Sequence, residues 1–61
     1  MDAKHYLRQL TGKPVKDIEI THIATLQAAM DKHGITSKKG IEALINADPM
    51  VRRAVQAEYN D

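Results

Sequence analysis

The chain contains no cysteine, tryptophan or phenylalanine, and its aromatic side chains are limited to two tyrosines. Without cysteine it can form neither a disulfide nor a thiolate-ligated zinc or iron–sulfur site, so disulfide-stapled miniproteins and zinc-finger folds are excluded. Without large apolar aromatics, the core has to be built from Ile, Leu, Val, Met, Ala and Tyr. In a chain of 61 residues, such a core leads us to expect low stability or self-association.

Long apolar runs and blocks of like charge are also missing. No apolar run exceeds three residues, so we expect no membrane span and no signal peptide. Nine Lys and Arg stand against eight Asp and Glu, for a net charge of +1. This balance argues against a globally basic nucleic-acid binder and against a polybasic membrane anchor. Together with the lack of cysteine, these features predict a cytoplasmic protein that has no membrane partner.

The spacing of the apolar residues predicts an all-α fold, a compact single domain over residues 1–61 with three to four short helices. We expect helices over residues 3–11, from Thr21 as the N-cap to His33, from Thr36 or Ser37 to about residue 47, and from Pro49 onward. Residues 13–20 are expected to form an irregular extended segment, because the alternating Ile18-Glu19-Ile20 has no second strand to pair with. Alternatively, Asp17 caps a helix that begins at Ile18.

The ends of these helices carry specific signals. Asp2 is expected to cap the first helix, and Gly12 and Gly34 are expected to end the first and second in the left-handed conformation. Asp48 followed by Pro49 predicts the cap and first residue of the last helix.

The apolar stripes identify the expected core. They place Leu10 in the core face of the first helix and Tyr59 in that of the last. Ile35 is expected to fold back onto Met30 after the turn, and the acidic tail, residues 58–61, is expected to fray.

No constellation of residues indicates catalysis. His5, His22 and His33 lack the spacing of a helical metal pair, so we expect surface or capping histidines and no metal. Ser37 and Thr21 have an economical role as N-caps, and no glycine-rich phosphate loop is present. The chain is also too small to enclose a substrate pocket of about 300 Å³ or more. We therefore assign no catalytic residue and no cofactor and expect no enzyme.

The segment Lys38-Lys39-Gly40 breaks two local rules. Two lysines in the first turn of a helix oppose its dipole, and a glycine inside a helix costs about 1 kcal/mol. Such violations often mark function, so this helix start is a candidate anion or phosphate site. The alternative is that the lysines are solvated and that Gly40 forms a helix–helix contact. Arg52 and Arg53 form a second basic point, which converges with the first or diverges from it depending on the corner between the last two helices.

Residues 21–46 resemble a helix-turn-helix, because a short turn containing Gly34 joins two helices. The chain departs from that pattern at Met30, which is bulky where a small residue is expected, and at Gly40, where an apolar residue is expected. Glu42 on the exposed face would repel phosphates. The resemblance implies a nucleic-acid-binding protein that uses Lys38, Lys39, Arg52 and Arg53.

The sequence favours a different function, a non-enzymatic protein–protein interaction module or small regulatory adaptor. The expected partner is another protein. Nucleic acid and self-association are the alternatives, and the residues offered for binding are Lys38, Lys39, Gly40, Arg52 and Arg53.

Overall fold

The computed structural model describes residues 1–59 of the 61-residue chain. Within that range it contains no strand, and its helices are α1 (Ala3–Thr11), α2 (Ile20–His33), α3 (Lys38–Ala47) and α4 (Pro49–Tyr59), with a 3₁₀ turn at Val15–Asp17. The predicted all-α class is therefore confirmed. Helix α4 packs against the other three helices, and its most extensive contact is with α2.

Local capping chemistry ends α1 and α2 as the sequence predicts. The Oδ1 atom of Asp2 accepts a hydrogen bond from a first-turn backbone amide at 2.8 Å. Gly12 follows α1 with φ of 73°, and Gly34 follows α2 with φ of 65°. The backbone amide of Ile35 donates to the carbonyl of Met30 at 2.8 Å, which is the closing bond of a Schellman motif.

The corner between α3 and α4 is also specified locally. Asp48 is the single residue between the two helices, and its Oδ1 accepts from the amides of Met50 at 3.0 Å and Val51 at 3.4 Å. Pro49 occupies the first helical position, where its missing amide costs nothing. At the other end of α3, Ser37 is the N-cap.

The core draws side chains from all four helices. The largest fully buried side chains are Leu7, Leu26, Met30, Ile41 and Val51. Ile18 adds a buried side chain from the segment that precedes α2, and Ile35 packs against the core from the turn after α2. No helix among residues 1–59 has the length and hydropathy that crossing a membrane requires.

Three details of the predicted core are wrong. Leu10 is 36% exposed and Tyr59 is 64% exposed, while Glu58 takes the buried position on α4. The cause for Leu10 is its place in the last turn of α1, where it borders an open depression beside Lys38. On α4, the buried face continues from Val55 to Glu58, three residues on. Tyr59 is the next residue and therefore lies on the solvent side of the helix.

The start of α2 also differs from the prediction. The helix begins at Ile20 with Glu19 at its N-cap position, so neither Thr21 nor Asp17 caps it. The preceding segment is only partly extended because it includes the 3₁₀ turn. Of the two isoleucines in the alternating stretch, Ile18 is buried, whereas Ile20 is 76% exposed.

Candidate functional site

The predicted basic residues fall in different environments. Lys38 and Lys39 are exposed in the first turn of α3. Arg52 is half-buried, with Nε donating to the carbonyl of Ile45 at 3.1 Å and Nη2 to that of Asn46 at 2.8 Å. Its guanidinium therefore satisfies carbonyl groups at the C-terminal end of α3, which otherwise lack intrahelical partners.

The four basic side chains do not meet in one patch. Lys38 and Lys39 lie at the N-terminal end of α3, and Arg52 is bonded to the C-terminal end. At a rise of 1.5 Å per residue, about 12 Å of helix separates the two ends. Arg53 is exposed and borders a surface between α2 and α4 instead. The sharp corner at residue 48 thus makes the two basic points diverge.

Gly40 has a packing role that accounts for a glycine inside α3. A Cβ atom at this position would lie 2.6 Å from Cγ2 of Ile35, well inside van der Waals contact. The backbone amide of Gly40 donates to the Oγ atom of Ser37 at 3.1 Å, which completes the N-cap. The missing side chain lets Ile35 cover the start of α3, so the contact is with the preceding turn and not with another helix.

A buried carboxylate that the sequence analysis missed lies near the end of α4. Only 2% of the Glu58 side chain is exposed. It accepts from Lys13 Nζ at 2.7 Å and from the backbone amide of Glu19 at 3.0 Å, and Nδ1 of His22 is its third donor. The signal was available, because residue 58 follows Val51 and Val55 at helical spacing. The prediction that the tail frays from Glu58 onward is therefore wrong for residues 58 and 59, which are helical, and residues 60–61 of that tail lie outside the described residues.

The donors around Glu58 explain its ionisation. Hydrogen bonds from Lys13, the larger effect, and from His22 lower its pKa from 4.5 to about 2, although burial acts to raise it. Because an ionised carboxylate can only accept, Nδ1 of His22 carries a proton. The cluster joins the end of α4 to the segment before α2 and to the first turn of α2. The described residues contain no group of three or more acidic or histidine side chains placed to hold a metal ion.

A groove runs between α2 and α4. The two helices are antiparallel: His22 in the first turn of α2 contacts Glu58 near the end of α4, and Lys32 near the end of α2 lies across the groove from Met50 at the start of α4. It consists of two adjoining open depressions of about 440 and 360 Å³, which share Thr25 and Met50. Met50 is 69% exposed. Small or short apolar side chains make up most of the rest of the lining, namely Ala24, Ala28, Ala29, Val51, Ala54 and Ala57.

The rim of this α2–α4 groove carries an excess of positive charge. Lys32 and Arg53 are both exposed and border it. Among residues 1–59, the carboxylate on the rim is that of Asp48, which accepts from two backbone amides at the start of α4, where the helix dipole offsets its charge. Asp31, by contrast, lies on the side of α2 that contacts α1. It accepts a hydrogen bond from Gln27, whose side-chain carbonyl accepts from the backbone amide of Ala3 at the start of α1.

A second apolar depression, of about 440 Å³, lies beside the start of α2. Val15, Ile20 and Ile23 line it together with Lys4 and Lys16. Two exposed acids, at positions 17 and 19, alternate with these residues along the chain. The mixed charge selects no partner chemistry, so the α2–α4 groove is the better-defined candidate site.

Comparison of the chain with protein-family models, with curated proteins and with solved structures yields no match in any of the three. A function therefore has to be inferred from the chain's own residues.

Proposed function

We propose that this chain is a non-enzymatic protein–protein interaction module, in the manner of a small regulatory adaptor, and that it binds its partner in the α2–α4 groove. The observation that carries the proposal is Met50, which is 69% exposed in the middle of a groove walled by alanine. Contiguous exposed apolar surface is typical of interaction sites. Methionine is well suited to such a surface because its flexible thioether adapts to different partners.

The ionisable groups support a binding role over a catalytic one. Glu58 is the acid whose pKa is most clearly perturbed, and such groups are often catalytic. Its oxygens, however, are engaged by Lys13, Glu19 and His22, and its side chain is 2% exposed. The carboxylate of Glu58 is therefore not accessible to a substrate, and Lys13 and His22, which are partly exposed, are both bonded to it. The cytoplasmic location stays a prediction from the composition.

The nucleic-acid alternative receives less support from the same contacts. Arg52 is committed to the carbonyls of α3, and Gly40 is accounted for by its contact with Ile35. Lys38 and Lys39 remain exposed and could meet a phosphate backbone, but α3 adds Glu42 to the same solvent-exposed surface. Nucleic-acid binding is therefore kept as a second outcome of the experiment.

The test is affinity capture from a lysate of the source cells, with and without nuclease. Three forms of the full chain are compared: the parent, Met50→Asp in the groove, and Ala43→Asp on the exposed side of α3. We expect the parent and Ala43→Asp to retain the same protein in nuclease-treated lysate, and we expect Met50→Asp to lose it.

Three results would count against the proposal. Capture that survives Met50→Asp would place the binding site elsewhere, and capture that disappears with nuclease would favour the nucleic-acid alternative. If the parent captures no protein beyond those that Met50→Asp also captures, the support for a binding groove is removed.

A further inference from the structure

We propose that the α2–α4 groove takes an acidic amphipathic helix of another protein, about three turns long, and does not take a second copy of this chain. This inference rests on the function proposed above and specifies the chemistry of the partner.

The shape of the groove fits a helix. Two antiparallel helices form its walls, and a third helix can lay its apolar face between them, a mode of recognition that recurs among peptide-binding proteins. On α2 the groove extends from His22 to Lys32. Ten residues at a rise of 1.5 Å make about 15 Å, which matches roughly three turns of a bound helix.

The lining of the groove admits a close approach. Alanines at positions 24, 28, 54 and 57 keep both walls low, so large side chains of the incoming helix can reach the groove floor. Met50 borders both depressions and lies between them. An incoming helix with leucine-sized residues at i, i+3 or i+4, and i+7 would place them on both sides of Met50.

The rim selects an acidic helix. Lys32 borders the first depression, and Arg53 borders the second, which Thr25 of α2 also lines. Residues 25 and 32 on α2 lie seven positions apart, or about 10 Å along the axis. Carboxylates about two turns apart on the bound helix would therefore face the two cations. The other ionisable groups that residues 1–59 place on the rim already have partners. Asp48 accepts hydrogen bonds from two backbone amides, and His22 is bonded to Glu58.

A second copy of the chain is a poor occupant of the groove. A symmetric dimer places the same patch on both subunits against each other, so the Lys32 and Arg53 rims of two copies would meet with like charge. A head-to-tail contact would need an acidic helix face. The exposed charged residues of the helices are mainly basic, namely Lys4, Arg8, Lys32, Lys38, Lys39 and Arg53 against Asp31 and Glu42.

The experiment uses two synthetic helices of about 14 residues, or roughly four turns, as probes of the full chain in fluorescence anisotropy titrations. Both carry leucines at i, i+3 and i+7. One has glutamates flanking the leucine stripe, and the other has lysines at the same positions. We expect the acidic helix to bind the parent and the basic helix to bind much more weakly.

Variants separate the contribution of the rim from that of the groove. Lys32→Glu with Arg53→Glu is expected to weaken binding of the acidic helix by roughly tenfold, since two favourable rim pairs become repulsive. The control, Lys4→Glu with Lys16→Glu, changes the net charge by the same amount outside the groove and should alter binding by less than about twofold. Met50→Ser should weaken binding without changing the circular dichroism spectrum.

Other outcomes overturn this inference in distinguishable ways. Equal binding of both helices, weakened by Met50→Ser, would keep the groove and the proposed function but reject the acidic partner. Equal weakening by the two charge-reversal pairs would mean non-specific attraction. If neither helix binds and sedimentation shows a dimer that Met50→Ser dissociates, the occupant is a second copy. If neither helix binds and no dimer forms, the inference fails and the capture experiment alone decides the proposed function.

Discussion

Replacing Glu58 by glutamine removes the buried charge while keeping the shape of the side chain. Lowering the pKa of this carboxyl from 4.5 to about 2 corresponds to about 3–4 kcal/mol of folding free energy, at roughly 1.4 kcal/mol per pKa unit. The side chains of Lys13 and His22 are 26% and 28% exposed, so water screens part of this interaction. We therefore expect Glu58→Gln to destabilise the fold by about 1–2 kcal/mol near neutral pH.

The effect should depend on pH in a defined direction. A carboxyl whose pKa is lower in the folded state stabilises the protein fully above its unfolded pKa, and this contribution is lost as the pH falls through the folded value. For Glu58 the loss occurs from about pH 5 down to about pH 2. The parent should lose stability more steeply than Glu58→Gln over this window, so that the difference between them shrinks in acid.

Urea denaturation followed by circular dichroism at a series of pH values measures both effects. In a domain of this size, 1 kcal/mol shifts the melting temperature by about 4–8 °C, so thermal melts give a second readout. Glu42→Gln is the matched control, because it removes an exposed acid from α3. Equal stability of parent and Glu58→Gln near neutral pH, or parallel pH profiles, would refute the reasoning.

Three further changes, tested by thermal melts, concern Gly40 inside α3, Gly34 in the turn before it, and the two lysines at the start of α3. Gly40→Ala should destabilise by about 1 kcal/mol or more, because the clash with Ile35 outweighs the better helix propensity of alanine; a stabilised variant would contradict the contact. Gly34→Ala should cost about 1 kcal/mol, because its positive φ is unfavourable for a residue with a Cβ atom; an unchanged melt would contradict the Schellman ending. Lys38→Gln with Lys39→Gln should be neutral or stabilising by up to about 1 kcal/mol, since both charges oppose the helix dipole; a lower melting temperature would reveal a structural role.

The features that could be predicted from the sequence are those decided by neighbouring residues. Asp2 and Asp48 cap helices through amides two or three positions away, and Gly34 ends α2 through bonds within the same turn. The start of α2 depends instead on a distant residue. The backbone amide of Glu19 donates to Glu58, 39 residues along the chain. No local pattern around Thr21 could indicate that the helix is capped two residues earlier, at Glu19.

The candidate groove escaped prediction for a related reason. Alanines at i and i+4 on α2 favour a helix whatever they face, and only the antiparallel arrangement of α2 and α4 makes them the wall of a groove. A polar contact between residues far apart in the chain holds one end of that arrangement, where Glu58 joins α4 to His22 of α2. Near its other end, Arg52 joins the start of α4 to the last carbonyls of α3. Because the groove is already present in the unbound chain, little of the free energy of the proposed binding would have to be spent on ordering the site.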